Sequence, residues 1–303
     1  MVAAGTGELA LTDLHGRFVW YELLTTDIAA AKAFYSSVLG WSEQDASTPG
    51  FGYTLFTSGK VPVSGLMELP EEARRKGAMS RWVGYVGVDD IDAAADRFKR
   101  LGGAVYVPPT DSNIGRISVV ADPQTATLAL VKGLKAVQPE RAELDELGRV
   151  GWHELLAADW KNAFAFYNDL FGWRKMDAES GSTDRYQLFS SGGQMIGGMF
   201  TKRPQEPIPF WLYYFNVEDL DAAIARVTNG GGQVFEGPLE LPDSSWVARC
   251  RDPQGSAFAI QGKRSPDAVK QLGWSTEWGR FSSRGRLLVN KPTGKSRNPD
   301  SEK

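Results

Sequence analysis

The sequence predicts an α+β chain built from four strand–helix–three-strand units, two in each half. Three observations carry this. The run WYELLTTDIAAAKAFYSSVLGW, Trp20 to Trp41, returns as WHELLAADWKNAFAFYNDLFGW, Trp152 to Trp173. In both copies an alternating stretch gives way to a helical one at an Asp (Asp27, Asp159), whose carboxylate can accept the free amide protons of a first helical turn. A second self-match then follows in order. Val88-Asp-Asp-Ile-Asp-Ala-Ala, Gly102-Gly103 and Asp122-Pro-Gln are answered by Val217-Glu-Asp-Leu-Asp-Ala-Ala, Gly231-Gly232 and Asp252-Pro-Gln. Self-similarity this long marks a tandem duplication, so function has to be read from two related halves.

Residues 1–16 are rich in Gly and Ala and read as a lead-in. A strand over 18–25 and a helix over 27–39 follow. The helix carries Phe34 and Tyr35 on one side and stops at Gly40, where a glycine suits the left-handed helix end. Strands are expected near 42–46, 51–57 and 61–67. The polar segment 68–80 reads as a linker with one helical turn. The second unit opens with a strand at Arg81, then a helix over 90–101 ended by Gly102-Gly103, then strands near 104–107, 115–121 and 126–131. The Asp-Pro corners suit hairpins, because Pro presets one turn dihedral and Asp bonds nearby amides. The first domain is placed at 17–133, a charged linker at 134–148, and a second domain at 149–262 that repeats the plan, with Tyr186-x-Leu-Phe answering Tyr53-x-Leu-Phe. From Lys263 the repeat stops. The tail 263–303 holds ten Lys and Arg against four acids, together with Trp274, Trp278 and Phe281. Its composition predicts partial disorder with a short docked segment, and the alternative is a nucleic-acid or partner-binding arm.

Composition narrows the function classes. A net charge of −3 and a pI near 5.6 give no general attraction to nucleic acid or anionic membrane. Cys250 is the single cysteine, which excludes an intramolecular disulfide framework and a cysteine-cluster metal site. Residues 1–16 lack the basic start and apolar run of a signal peptide, and no stretch approaches a membrane span. A cytoplasmic protein is expected, monomeric or homodimeric, with a small molecule as partner and neither membrane nor nucleic acid.

Four such units, the phrases Asp…Ala-Phe-Tyr…Leu-Gly-Trp and Val-Asp-Asp-Ile-Asp-Ala-Ala…Leu-Gly-Gly, and the Asp-Pro corners resemble the vicinal-oxygen-chelate superfamily. This group includes glyoxalase I, bleomycin-resistance proteins, fosfomycin-resistance proteins and extradiol dioxygenases. The resemblance spans roughly residues 17–133 and 149–262. It implies two glyoxalase-like domains, each of two βαβββ modules forming a curved mixed sheet, a cup that holds a small ligand. It also implies a divalent metal held by His, Glu or Gln at three positions of each cup. Those positions here are Trp20, Val83 and Ala129 in the first half and Trp152, Leu212 and Ala259 in the second. An indole, a branched alkyl and a methyl offer no lone pair to a cation. No metal site and no cofactor are therefore expected.

Strand alternation sets Glu22 and Glu154 on the same face as Trp20 and Trp152, with Tyr85 and Tyr214 inward on the fifth strands. Each half then offers an indole, a carboxylate and a phenol around one cavity. A buried carboxylate must be paired or have a raised pKa, and a phenol is a natural donor to it. Glu22 and Glu154 can be read as structural tethers, as ligand contacts or as general bases. Arg116 is a possible partner of Glu22, and Trp246 stands at its matched position. On that basis the first cup would take a polar acid and the second a flatter apolar molecule, unless one cup is closed by side chains. Tyr53 and Tyr186 line the cup mouths or belong to the core. His153, beside Trp152, turns away from the cup and reads as a surface or inter-sheet residue, and His15 reads as exposed. The glycine pairs lack the pattern of a dinucleotide site, and no nucleophile elbow is present.

Three function classes follow. The first is a metal-independent small-molecule binder. The second is a lyase, isomerase or hydroxylase-like enzyme acting through Glu22 or Glu154, or through an unconventional metal site. The third is an interaction protein acting through its tail.

Overall fold

The computed structural model describes residues 14–134, 145–176, 186–204, 206–241 and 244–264, together with two short strands at 280–281 and 287–288. The reading of Trp274 and Trp278 in the tail lies outside these residues. The first half contains β1 (Phe18–Thr25), α1 (Ile28–Leu39), β2 (Ser42–Asp45), β3 (Thr54–Ser58), β4 (Val61–Glu68) and the single turn α2 (Glu71–Arg75). Its second unit holds β5 (Arg81–Gly87), α3 (Ile91–Arg100), β6 (Ala104–Asp111), β7 (Arg116–Ala121) and β8 (Thr127–Lys132). The second half repeats this with β9 (Val150–Ala157), α4 (Trp160–Phe171), β10 (Arg174–Met176), β11 (Tyr186–Ser191) and β12 (Gln194–Thr201). It ends with β13 (Phe210–Asp219), α5 (Leu220–Asn229), β14 (Gln233–Glu240), β15 (Trp246–Arg251) and β16 (Ala257–Lys263).

The helix ends form for the reasons read in the sequence. Asp27 accepts the amide of Ala30 and Asp159 those of Lys161 and Asn162, while Gly40 and Gly172 close α1 and α4 in the left-handed conformation at φ 71° and 68°. One strand is longer than expected. β6 continues through Pro108-Pro109, which an edge strand tolerates because its outer amides need no ladder partner, and its pairing with β7 is bulged.

The units pair within each half. One eight-stranded mixed sheet runs β2-β3-β4-β1-β5-β8-β7-β6 and the other β10-β11-β12-β9-β13-β16-β15-β14. β1 lies antiparallel to β5 with Trp20 opposite Tyr85 and Glu22 opposite Val83, and β9 meets β13 in the same register. Each sheet has two unlike faces. The helix faces of both sheets share one apolar core running from Leu23, Tyr35 and Trp82 to Tyr167, Trp211 and Phe258. The opposite faces carry two separate small clusters, one per half.

The halves are locked by groups far apart in sequence. Tyr35 on α1 donates to Asp252 of the second half's Asp-Pro corner at 3.0 Å, and Trp82 donates to the Tyr35 hydroxyl at 2.9 Å. The matched Tyr167 donates to Asp122 at 3.1 Å under Trp211. Each corner carboxylate also accepts two amides of its own turn, as Asp122 does from Gln124 and Ala126. The Asp-Pro corners are therefore clasps between halves as well as turns. Tyr21 and His153, 132 positions apart and equivalent in the repeat, meet at 2.6 Å from Oη to Nε2. The His153 Nδ1 reaches the Ile196 carbonyl at 2.6 Å and its ring stacks on Phe18. An Nδ1–H tautomer that donates to Ile196 and accepts from Tyr21 satisfies both contacts. His153 is thus a buried inter-sheet histidine, and burial pulls its pKa down to about 4.

Candidate functional site

In the first half the matched metal positions Trp20, Val83 and Ala129 converge on the cup face, because β1, β5 and β8 are neighbours. Glu22, only 3% exposed, sits among them. The Tyr53 hydroxyl donates to its Oε1 at 2.5 Å, the Tyr85 hydroxyl donates to its Oε2, and the Trp20 indole donates to Tyr53 at 3.1 Å. A glycine makes this possible. A Cβ on Gly65 would lie 2.0 Å from the Tyr53 oxygen, so only glycine lets the ring cross β4 to reach Glu22. Burial raises the Glu22 pKa, against the two phenol bonds that favour its charge. Burial, followed by the Glu22 charge, raises the Tyr53 and Tyr85 pKa values, so both phenols stay protonated and donate.

The second half repeats the chain of contacts. Tyr186 donates to Glu154 at 2.9 Å across Gly198, Trp152 donates to Tyr186 at 3.1 Å, and Tyr214 donates to the other Glu154 oxygen. Here a cation joins. Arg249 donates from Nη2 to Glu154 at 2.7 Å and from Nε to Tyr214 at 2.8 Å, and pairs with Glu236 through Nη1. Glu236 is in turn bonded by Arg203. The Glu154 and Glu236 charges raise the Arg249 pKa although burial opposes them.

Two expected cup residues lie elsewhere. Arg116 projects from the opposite face of β7, half-buried, and pairs with Asp92 and Asp111 rather than Glu22. Trp246 packs against the shared core under the Arg264 guanidinium, 4.8 Å from its ring centre. The ground for a polar first cup is thereby lost, since the cation beside the carboxylate is the half-buried Arg249 of the second. The residue missed was Arg249. Strand pairing about the Asp-Pro corner sets Val119 opposite Ala129 and Arg249 opposite Ala259, and opposed residues share a face. Counting outward from Asp252-Pro253 to Ala259 would have found it. Cys250, on the core face, is buried and its thiol is pushed up to about 12, which removes it as a nucleophile. His15 is exposed and lies 3.5 Å from Asp89.

The donor set does not fit the superfamily's divalent metal. Each cup holds one carboxylate already bonded to two protonated phenols, the further Glu236 of the second cup is taken by Arg249 and Arg203, and the three expected ligand positions are apolar. Among the described residues no group of three His, Cys, Asp or Glu is placed to hold an ion. Likewise, no described helix is long and apolar enough to cross a membrane.

Comparison with known proteins agrees with the architecture. Residues 17–130 and 149–260 each match the Glyoxalase/Bleomycin resistance protein/Dioxygenase superfamily. The chain belongs to this superfamily, in its tandem two-domain form. It is 33% identical over 245 residues to the candidate glyoxylase CFP32 of Mycobacterium tuberculosis, covering 80% of this chain and 92% of that protein. It is 31% identical over 263 residues to the anthracycline biosynthesis protein DauV of a Streptomyces species, covering 81% and 92%. Among solved structures, the Mn(II)-bound glyoxalase from Novosphingobium aromaticivorans superposes with a TM-score of 0.57 at 14% identity, covering 83% of each chain. A variant of homoprotocatechuate 2,3-dioxygenase from Brevibacterium fuscum gives 0.57 at 17% identity, covering 83% of this chain and 73% of that one. At such identities these two likenesses concern the fold alone.

Proposed function

We propose that the chain is a binding member of the superfamily that holds a small organic molecule in a cup without the usual divalent metal. The observation that supports this is the replacement of all three metal positions in both halves by apolar side chains, while a buried Trp–Tyr–Glu–Tyr chain is kept in each. An apolar pocket with a few convergent polar groups is what small-molecule sites look like. The carboxylate and phenols would orient a ligand by hydrogen bonds, and the indole would supply area. DauV is named for anthracycline biosynthesis, and a flat aromatic ligand suits these aromatic walls.

Native mass spectrometry with elemental analysis tests the reading on protein purified without added metal. The expected result is a metal-free chain, with a small organic adduct where the ligand survives purification. Stoichiometric manganese, iron, nickel or zinc would overturn it. Glu154→Gln separates binder from enzyme once the ligand is known. A binder changes affinity only, whereas lost turnover with the fold intact would move the protein to the enzyme class.

A further inference from the structure

We infer that the two cups have parted, so that the second alone is the ligand site and takes one uncharged planar aromatic molecule carrying a hydroxyl or carbonyl on its edge. This rests on the reading of the chain as a metal-free binder and adds a location, a stoichiometry and a ligand class.

The first cup is filled by its own side chains. Trp20 is 1% exposed, Tyr53 2% and Ile114 3%, all in one apolar cluster with Val83, Tyr85 and Val131. Phe51 stacks on Tyr53 from outside at 5.8 Å, between the solvent and the buried carboxylate. The second cup differs at the places of Trp20, Tyr53 and Ile114. Trp152 and Tyr186 are partly exposed where Trp20 and Tyr53 are not. The position of Ile114, two before Arg116 at the start of β7, is taken in the repeat by Ser244, two before Trp246 at the start of β15, and Ser244 is exposed. Phe200 stacks on Tyr186 at 5.8 Å and Phe210 joins the same wall, both partly exposed. The second cup therefore leaves the rings of Trp152, Tyr186, Phe200 and Phe210 partly open, whereas in the first only Phe51, outside the filled cup, is open to solvent, and flat rings are the partners such faces stack with.

Charge selects among flat rings. The polar end of the second cup holds Glu154, Arg249, Glu236 and Arg203 in an unbroken series of ion pairs. Two carboxylates and two guanidinium groups sum to zero. An anionic ligand would meet carboxylates on both flanks of Arg249, and a cationic one would meet the guanidinium, so burying a net charge there has nothing to offset it. A hydroxyl or carbonyl, by contrast, finds donors and acceptors already held in place. Arg249 also lies 5.3 Å over the Phe200 ring, which ties the polar end to the stacking wall.

Calorimetric titration of the full chain with quinizarin, an uncharged dihydroxyanthraquinone, tests this against anthraquinone carboxylate, a ring system of similar area with a negative charge. One quinizarin per chain is expected, with the carboxylate bound about tenfold more weakly or worse. Trp152→Ala should weaken quinizarin by about tenfold, whereas Ile114→Ala, in the filled cup, should leave affinity and stoichiometry unchanged, with circular dichroism checking both folds. Two molecules per chain, or loss of binding in Ile114→Ala but not in Trp152→Ala, would overturn the assignment to the second cup. Equal affinity for the two rings, or binding of neither, would overturn the ligand class. A stoichiometric metal would instead overturn the underlying reading, and elemental analysis of the same sample reports that separately.

Discussion

The first cup holds Glu22 between two phenols with no Lys or Arg bonded to it among the described residues, while the second holds Glu154 between two phenols and Arg249. The same carboxylate on the same strand is thus kept in two ways. A lone buried carboxylate is tolerated by taking up a proton more readily, and burial does raise the Glu22 pKa. The paired one, Glu154, is bonded by a second ionisable group, Arg249, which in turn pairs with Glu236. What decides between them is one position, Val119 against Arg249. The two halves hold two copies of one site, and the copy with the cation is also the one whose aromatic faces are partly exposed.

The largest expected effect comes from removing that cation. Arg249→Ala leaves the buried Glu154 without its cation and the half-buried Glu236 with Arg203 alone, which should lower unfolding stability by roughly 3–5 kcal/mol. Val119→Ala at the matched position should cost about 1 kcal/mol. Chemical denaturation measures both, and equal losses would mean the second cup does not depend on its charge.

A smaller difference between the halves sits at the repeat-matched pair Tyr21 and His153. The unfolded histidine takes a proton below about 6.5, while the folded one resists until about 4. Between those values the unfolded state binds more protons, so stability is full above the upper value and falls as pH drops through the window. The loss should reach about 3 kcal/mol. Denaturation midpoints of the wild type and His153→Gln, taken near pH 7.5 and 4.5, should converge at the acid end. Parallel curves would remove His153 as the cause.

Next come Gly65 and Gly198, over which the two tyrosines lie. A methyl at either would lie 2.0 Å from Tyr53 Oη or 2.2 Å from Tyr186 Oη. Gly65→Ala should cost about 2–3 kcal/mol, because the closed cup gives Tyr53 nowhere to go. Gly198→Ala should cost about 1 kcal/mol, since the partly exposed Tyr186 can swing outward. Thermal melts with near-ultraviolet dichroism would show the contrast, and identical losses would contradict the difference in openness.

The smallest effect concerns Glu22 itself. With its folded pKa raised, the folded state holds the proton more tightly. Its contribution is present at acid pH and is lost as pH rises through the raised value. Glu22→Gln should therefore flatten that part of the pH–stability curve. A curve that keeps its slope would assign the titration to another group.

Much of the fold was legible because its signals are local. Asp27, Asp159, Gly40 and Gly172 act within a turn or two of their own backbone, and alternation alone sets Trp20 with Glu22 and Trp152 with Glu154. The inward Tyr85 and Tyr214 followed from the same parity. The reading of Arg116 and Trp246 failed because the strand's register across the Asp-Pro corner was not used. Arg116 is three steps from Val119, and an odd number of steps changes face. Tyr53 and Tyr186 could be placed at the cup, but their bonds to the carboxylates depend on Gly65 and Gly198 on the next strand of each hairpin.

By itself the sequence determined the duplication, the order of strands and helices, the caps, and which residues of each strand share a face. These follow from hydrophobic period and from side chains bonding their own neighbouring backbone. Tertiary structure alone decided that units pair within each half, that Asp122 and Asp252 clasp Tyr167 and Tyr35, that His153 meets Tyr21, and that Arg249 reaches Glu154. Those contacts join groups up to 217 positions apart, and no local period encodes them. They exist because two sheets bury their helix faces against one another and leave the cups outside.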